Sequence, residues 1–335
     1  MASSYFIPLL LSLSLPILTF FPSTTLSKLT PNYYQKSCPK FPDIVRQIVQ
    51  EKQSVVPTTA AATLRLLFHD CLVEGCDASI LIASNAFNKA ERDAENNLSL
   101  SGDGFDVVTR IKTALELQCP GIVSCSDILA TAARDLITIE GGPYYPVRLG
   151  RKDGLVSKAE LVEGKLPRPK MPLTQLIALF ASKKFTVQEM VALVGAHTIG
   201  FAHCSEFSNR IYNFSKKTKV DPAYNPKYAE GLRKLCSNYT KDPSMSAFND
   251  VMTPNKFDNM YYKNLQRGLA LLASDQALAV DKRTRPHVDL YAANQTKFFQ
   301  DFAHAMEKLS VYKIKTGRKG EVRRRCDAFN NLKTA

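Results

Sequence analysis

The feature that most narrows what this chain can fold into is its hydrophobic period. Segments 44–53, 58–68, 105–118, 124–135, 173–182, 187–195, 202–212, 224–235, 259–265 and 296–310 repeat apolar residues about every 3.6 positions, with polar, Gly or Pro stops between. Strand-like alternation is scarce, so a mainly α fold is expected. Ser124 and Ser126 precede an apolar run, and Thr186 stands three residues before Glu189, the spacing of a capping box. Three long connections, 72–104, 153–172 and 238–257, are too extended to be simple turns and must carry function or be stapled. With 45% hydrophobic and 22% charged residues over 335 positions, disorder and a multi-span membrane protein are excluded.

Staples are available. The eight cysteines form an even set, but eight allow 105 pairings and the sequence alone selects none. They agree with an oxidising destination. Residues 5–21 are almost wholly apolar, the first charged residue is Lys28, and small residues Thr25 and Ser27 follow. This reads as an export leader over 1–27, with one folded unit over 28–335, secreted and extracellular, with no membrane span. Sequons at Asn213, Asn238 and Asn294 fit the same destination.

Two histidines stand out. Arg65 and His69 are four residues apart on a helix otherwise made of Ala and Leu, so they share one face. Burying a guanidinium and an imidazole there without partners costs several kcal/mol or more, so the pair must meet an anion or line a polar cavity. Just beyond, Asp70, Asp77 and Ser79 supply hard oxygens, and Gly75 permits a sharp turn that exposes carbonyls such as those of Val73 and Gly75. Such a loop suits Ca²⁺. Far downstream, His197 ends an apolar helix.

The stretch R-L-L-F-H-D-C-L-V-E-G-C-D-A-S-I-L, residues 65–81, resembles the distal-haem signature of the class III plant secretory peroxidases. V-A-L-V-G-A-H-T-I-G, residues 191–200, resembles their proximal-haem signature, and D-V-M-T-P-N-K-F-D, residues 250–258, their second Ca²⁺ loop. The resemblance runs from about Leu29 to Cys326. It implies a haem-peroxidase fold, with distal and proximal helical halves sandwiching haem b and little β structure.

It further implies site residues. Arg65, Phe68 and His69 would form the distal pocket, with Asn97 holding His69 and thereby unavailable for a glycan. His197 would be the axial iron ligand, with Asp275 behind it. One Ca²⁺ would take Asp70, Val73, Gly75, Asp77 and Ser79, with Glu91 linked through water; a second would take Thr198, Asp250, Thr253, Lys256 and Asp258. Pro167, in Leu166-Pro-Arg-Pro169, would lie beside phenolic donors. The implied disulfides are Cys38–Cys119, Cys71–Cys76, Cys125–Cys326 and Cys204–Cys236, and Asp127 with Arg151 the implied buried ion pair. The activity would be H₂O₂-driven one-electron oxidation of phenols, by a monomer.

Departures from the family pattern are Leu72, Glu74, Glu95 with Asn96, a longer 101–105 loop, and Asn249 where an aromatic often packs on the axial His. The chain has no Trp, so no indole relays electrons to its surface. His203, His287 and His304 match no motif and are read as surface or packing residues. A net charge of +13, with eight Lys/Arg in 313–335, suits an acidic wall polysaccharide better than nucleic acid in an exported protein. The competing reading is therefore a cationic polysaccharide-binding protein with a vestigial site. Zinc hydrolysis is rejected because His69 and His197 lack the close spacing of a zinc helix.

Overall fold

The computed structural model describes residues 29–331; the leader read over 1–27 lies outside them. Twelve α-helices and one two-stranded ribbon are formed among the described residues. The first half packs α1 (Phe41–Val55), α2 (Thr59–Val73), α3 (Gly102–Gln118) and α4 (Cys125–Ile139) against one another. Here α2 is buried nearly all round, with Ala60, Leu64, Leu66, Leu67, Cys71 and Leu72 all interior, which makes it the central helix. In the second half α6 (Val187–Val194) packs on α12 (Gln295–Ser310) and on α5 (Leu173–Ser182). Around them lie α9 (Met260–Gln266), α10 (Ala273–Val280) and α11 (Arg285–Ala293), and α12 also touches α2. One apolar cluster runs through both halves, and a smaller one joins α7 (Cys204–Ile211) to α8 (Pro226–Leu235).

Local chemistry sets the boundaries. The Ser124 hydroxyl caps α4 by accepting from Asp127 N, and the Thr186–Glu189 capping box opens α6 with both reciprocal bonds made. The segment expected as helix over 202–212 starts only at Cys204, because Phe201–His203 is extended and pairs antiparallel with Ser246–Phe248. Helices α10 and α11 were not expected: in α10 only Asp275 and Leu278 are buried, so a buried carboxylate interrupts its apolar period.

Disulfides Cys38–Cys119, Cys71–Cys76, Cys125–Cys326 and Cys204–Cys236 staple these elements, leaving no free cysteine among the described residues. The fully buried Arg151 guanidinium donates to Asp127 at 2.8 Å and to the Ser310 carbonyl at 2.6 and 2.8 Å, while Tyr34 donates to the other Asp127 oxygen at 2.7 Å. A buried pair so fully satisfied ties α4 to the end of α12, holding the two halves in register.

Candidate active site

On α2, His69 is buried and its Nδ1 lies 2.7 Å from Asn97 Oδ1. The Asn97 amide in turn donates to the Glu91 carbonyl at 2.7 Å, which fixes its oxygen toward the ring. His69 therefore donates from Nδ1, and Nε2 is left unprotonated as an acceptor. Burial, reinforced by the Arg65 charge and opposed by the Asn97 hydrogen bond, holds the imidazole pKa down to about 3. Arg65 donates to the Ser99 carbonyl at 2.7 Å and to its hydroxyl at 2.9 Å. Phe68 packs beside His69, ring centroids 6.2 Å apart.

His197 sits on a single 3₁₀ turn, Gly195–Thr198, that directly follows α6. Its Nδ1 lies 3.1 and 3.2 Å from the two oxygens of buried Asp275. Burial works against charging this ring, but the Asp275 charge and hydrogen bond outweigh it and raise its pKa above the usual histidine value. Nε2 is directed away from that carboxylate. Although His197 lies deep in the protein, 37% of its side chain is accessible, and Arg65 is likewise deep yet exposed. The Arg65 charge reaches His197 and works against its protonation, so the two side chains lie near enough to act on one site. Tyr261 meets His197 edge-on at 6.1 Å, so the aromatic against this ring comes from α9; Asn249 is buried with its Oδ1 unpartnered.

Gly195 has a different reason from the open approach to a macrocycle that its place beside His197 suggests. A Cβ there would meet the Tyr262 hydroxyl at 2.3 Å and the Phe298 ring at 2.5 Å, so the glycine is required by packing against α9 and α12.

Two oxygen-rich clusters flank the histidines. Asp70 accepts from the backbone of Asp77, Ala78 and Ile80 at 2.9–3.3 Å, and Ser79 donates to Glu91 at 3.0 Å. Burial and the neighbouring carboxylates push Asp70 and Glu91 up, and burial pushes Asp77 up despite Lys315 at 3.5 Å. Glu91 Oε1 is buried with no hydrogen-bond partner. Val73 ends α2, and Gly75 has φ +114° with its Cβ position blocked by the Lys313 carbonyl at 2.4 Å, so only glycine fits. In the second cluster Asp250, Thr253 and Asp258 are linked at 3.1 and 3.2 Å through the Thr253 hydroxyl. The Thr198 hydroxyl lies 3.5 Å from Asp250 and 3.4 Å from the Lys256 carbonyl. Among the described residues no three His, Cys, Asp or Glu side chains converge as a metal cluster, so any cation here would draw also on hydroxyls and carbonyls.

Pro167 is half-buried, and the Pro169 carbonyl accepts from Ser274 N at 3.2 Å, tying that segment to the helix that bears Asp275. Asn213, Asn238 and Asn294 are exposed, Asn294 also capping α12 through its Oδ1, whereas Asn97 is 2% exposed. Sequence reasoning missed Glu206 on α7, whose charge reaches Arg65, and Ser99, which orients that guanidinium. Neither carries a local signal, because both contacts cross between elements far apart in sequence. His203 is only half-buried, but its Nδ1 is buried and unpartnered, so it is not a plain surface residue.

Two imidazoles from opposite halves of a helical fold, one braced by an amide and one by a carboxylate, with one arginine charge acting on both, define a haem-peroxidase arrangement. Residues 45–294 match the family model described as Peroxidase. Three Arabidopsis thaliana proteins are similar over nearly all of this chain. Peroxidase 6 is 60% identical, covering 96% of this chain and 98% of its own length. Peroxidase 31 is 59% identical over 95% and 98%, and Peroxidase 65 is 59% identical over 92% of each. The chain belongs to the class III plant secretory peroxidases. Membership implies a haem group and peroxidase activity, and the reading as a vestigial, purely polysaccharide-binding protein is not favoured.

Proposed function

We propose that residues 28–335 form an extracellular haem b peroxidase of the cell wall that reduces H₂O₂ at the expense of phenolic donors. The observation that carries this reading is the pair of braced histidines, His69 held by Asn97 and His197 by Asp275, with Arg65 on the helix of His69 and its charge reaching His197. The residues fit the group: an accessible imidazole with its far nitrogen engaged by a carboxylate is the donor type that haem iron takes. A bound haem would supply the redox chemistry, accepting two oxidising equivalents from peroxide and releasing them one at a time.

The protein's own part is proton handling and positioning. His197 Nε2 would hold the iron, and Asp275 would keep Nδ1–H oriented and the ring electron-rich. His69 Nε2 accepts a proton from one peroxide oxygen and returns it to the other, which leaves as water. Arg65 stabilises negative charge on that departing oxygen, with Ser99 holding its guanidinium in place. Phe68 walls the distal side against bulk water. Each phenol then gives up one electron and one proton near Pro167. The test is the absorption spectrum of purified, haem-supplied protein before and after peroxide, with turnover of a guaiacol-type phenol. A Soret band that shifts with peroxide and returns with phenol is expected; no band, or no response to peroxide, overturns the reading.

Two Ca²⁺ complete the proposal, one at Asp70, Val73, Gly75, Asp77 and Ser79 with Glu91 behind it, the other at Thr198, Asp250, Thr253, Lys256 and Asp258. The unpartnered Glu91 oxygen and the upward push on three buried carboxylates are what a bound divalent cation would relieve. Because Asp70 adjoins His69 and Thr198 adjoins His197, cation loss should disturb both histidines. Prolonged chelation is expected to lower Tm by several degrees and to cut peroxide turnover, with added Ca²⁺ restoring both. Unchanged Tm after chelation confirmed by elemental analysis would count against both cations. The protein is further proposed to act as a monomer, and its excess positive charge to meet acidic wall polysaccharide.

A further inference from the structure

A chain that oxidises phenols carries phenols of its own, as 13 tyrosines. Among the described residues five tyrosine pairs are in ring contact. In four of them at least one ring is buried, Tyr34, Tyr224, Tyr261 or Tyr262, and the planes cross at 58–89°. Radicals arriving from solvent cannot reach both rings of such a pair. The fifth pair differs on both counts. Tyr212 and Tyr239 are each only half-buried, and their rings are stacked, with centroids 5.9 Å apart and planes 10° from parallel.

The stack is held from both sides. Tyr212 directly follows α7, and its backbone N–H donates to the Ser208 carbonyl at 3.0 Å. Tyr239 stands three residues past Cys236, to whose carbonyl its N–H donates at 3.2 Å. The Cys204–Cys236 disulfide joins the first residue of α7 to the residue after α8, and the Tyr212 hydroxyl donates to the Arg233 carbonyl in the last turn of α8 at 2.9 Å. Burial first, opposed by Arg233 and reinforced by Tyr239, raises the Tyr212 pKa, so this ring keeps its proton until it is oxidised. The sequons at Asn213 and Asn238 adjoin the two tyrosines, and glycans there would keep other chains away from the pair.

We propose that Tyr212 and Tyr239 are a self-modification site, joined by a carbon–carbon bond between their ortho positions when the protein turns over peroxide and a small phenol. The inference rests on the peroxidase reading for its oxidant. Turnover converts one H₂O₂ and two phenols into two waters and two phenoxyl radicals. Each phenoxyl radical takes one electron and one proton from a tyrosine and returns to phenol. The two tyrosyl radicals then couple, and the hydrogen on each bonded ortho carbon moves to its own ring oxygen. The balance is one H₂O₂ and two tyrosines to one dityrosine and two waters. Rings already in contact couple faster than rings that must collide between molecules. The product is a second covalent tie between α7 and the segment after α8, beside Cys204–Cys236.

The test treats haem-loaded protein with H₂O₂ and a guaiacol-type phenol, then maps crosslinked peptides by mass spectrometry. A parallel arm replaces peroxide and phenol with a photochemical one-electron oxidant, ruthenium tris-bipyridine with persulfate and light. Both arms are expected to give a peptide pair joined at Tyr212 and Tyr239 with two hydrogens lost, on a chain still of monomer size. Its yield should exceed that of any other tyrosine link by about tenfold or more. Tyr212→Phe and Tyr239→Phe, which keep the stacked rings, should each remove most of the dityrosine fluorescence, with far-UV circular dichroism unchanged. Tyr144→Phe, at an exposed ring outside any tyrosine pair, should leave that fluorescence as it is in wild type. Phenol turnover without the Tyr212–Tyr239 link, links spread equally over exposed tyrosines, or undiminished fluorescence in either pair variant overturns the proposal. A protein that turns over no phenol but forms the link under light refutes the peroxidase reading and supports the pair.

Discussion

Replacing His69 by alanine is expected to slow peroxide reduction by roughly 10²- to 10⁴-fold, the range for losing a positioned general acid–base. The size follows from the wiring of the ring. Asn97 accepts from Nδ1 at 2.7 Å and is itself pinned by the Glu91 carbonyl, so the proton-accepting nitrogen is fixed before peroxide arrives. Asn97→Asp should give an intermediate loss, since a carboxylate would favour the charged imidazole and spoil the base. Burial first, then Arg65, depress the His69 pKa to about 3 against the pull of Asn97. The sign is that of a base made harder to protonate: the ring stays neutral above that value. Stopped-flow rates for wild type should therefore be flat from neutral pH to about 4 and fall as pH approaches 3. A His69→Ala rate within threefold of wild type, or a wild-type rate already collapsing near pH 6.5, would remove His69 from the mechanism.

Much of this was readable in the chain because its chemistry is local. Arg65, His69, Asp70, Gly75 and Asp77 fall within one helix and the turn after it, so residue type and helical spacing alone placed a cation, an imidazole and hard oxygens together. Thr186 with Glu189 announced the start of α6 in the same way. What stayed hidden depends on tertiary packing. Asp275 breaks the apolar period of the short helix that carries it, and that helix forms because its carboxylate meets His197 and its Leu278 reaches the core. Gly195 is small because of Tyr262 and Phe298, from helices far along the chain, and no local pattern could reveal that. Glu206 reaches Arg65 only once α7 packs against the first half, and Ser99 only once the long connection before α3 folds back over α2. The approach of Lys183 and Lys313 to the same Tyr312 ring has the same origin, since net charge says how many cations there are but not which of them meet.

Replacing His197 by alanine is expected to abolish stable haem binding, the largest change any single substitution here should produce. Its accessible imidazole is the proposed axial donor, and His69, the other candidate, has its Nδ1 committed to Asn97 and lies on a helix locked by burial nearly all round. Its Nε2 is free, but α2, held by burial, would have to shift for that nitrogen to take over. The variant should still fold, because the position lies on a single 3₁₀ turn and 37% of the removed side chain is accessible, so near-native far-UV circular dichroism separates loss of ligation from loss of fold. Asp275→Asn gives the finer reading. It keeps the volume and one acceptor but removes the charge that raises the His197 pKa against burial. Haem should remain bound, with the iron reduction potential shifted upward as the ring becomes less electron-rich. A His197→Ala protein that retains a full Soret band after gel filtration would mean the iron is held from elsewhere. An unchanged potential in Asp275→Asn would reduce that carboxylate to a helix-packing role, and the asymmetry between the two imidazoles would then need another source.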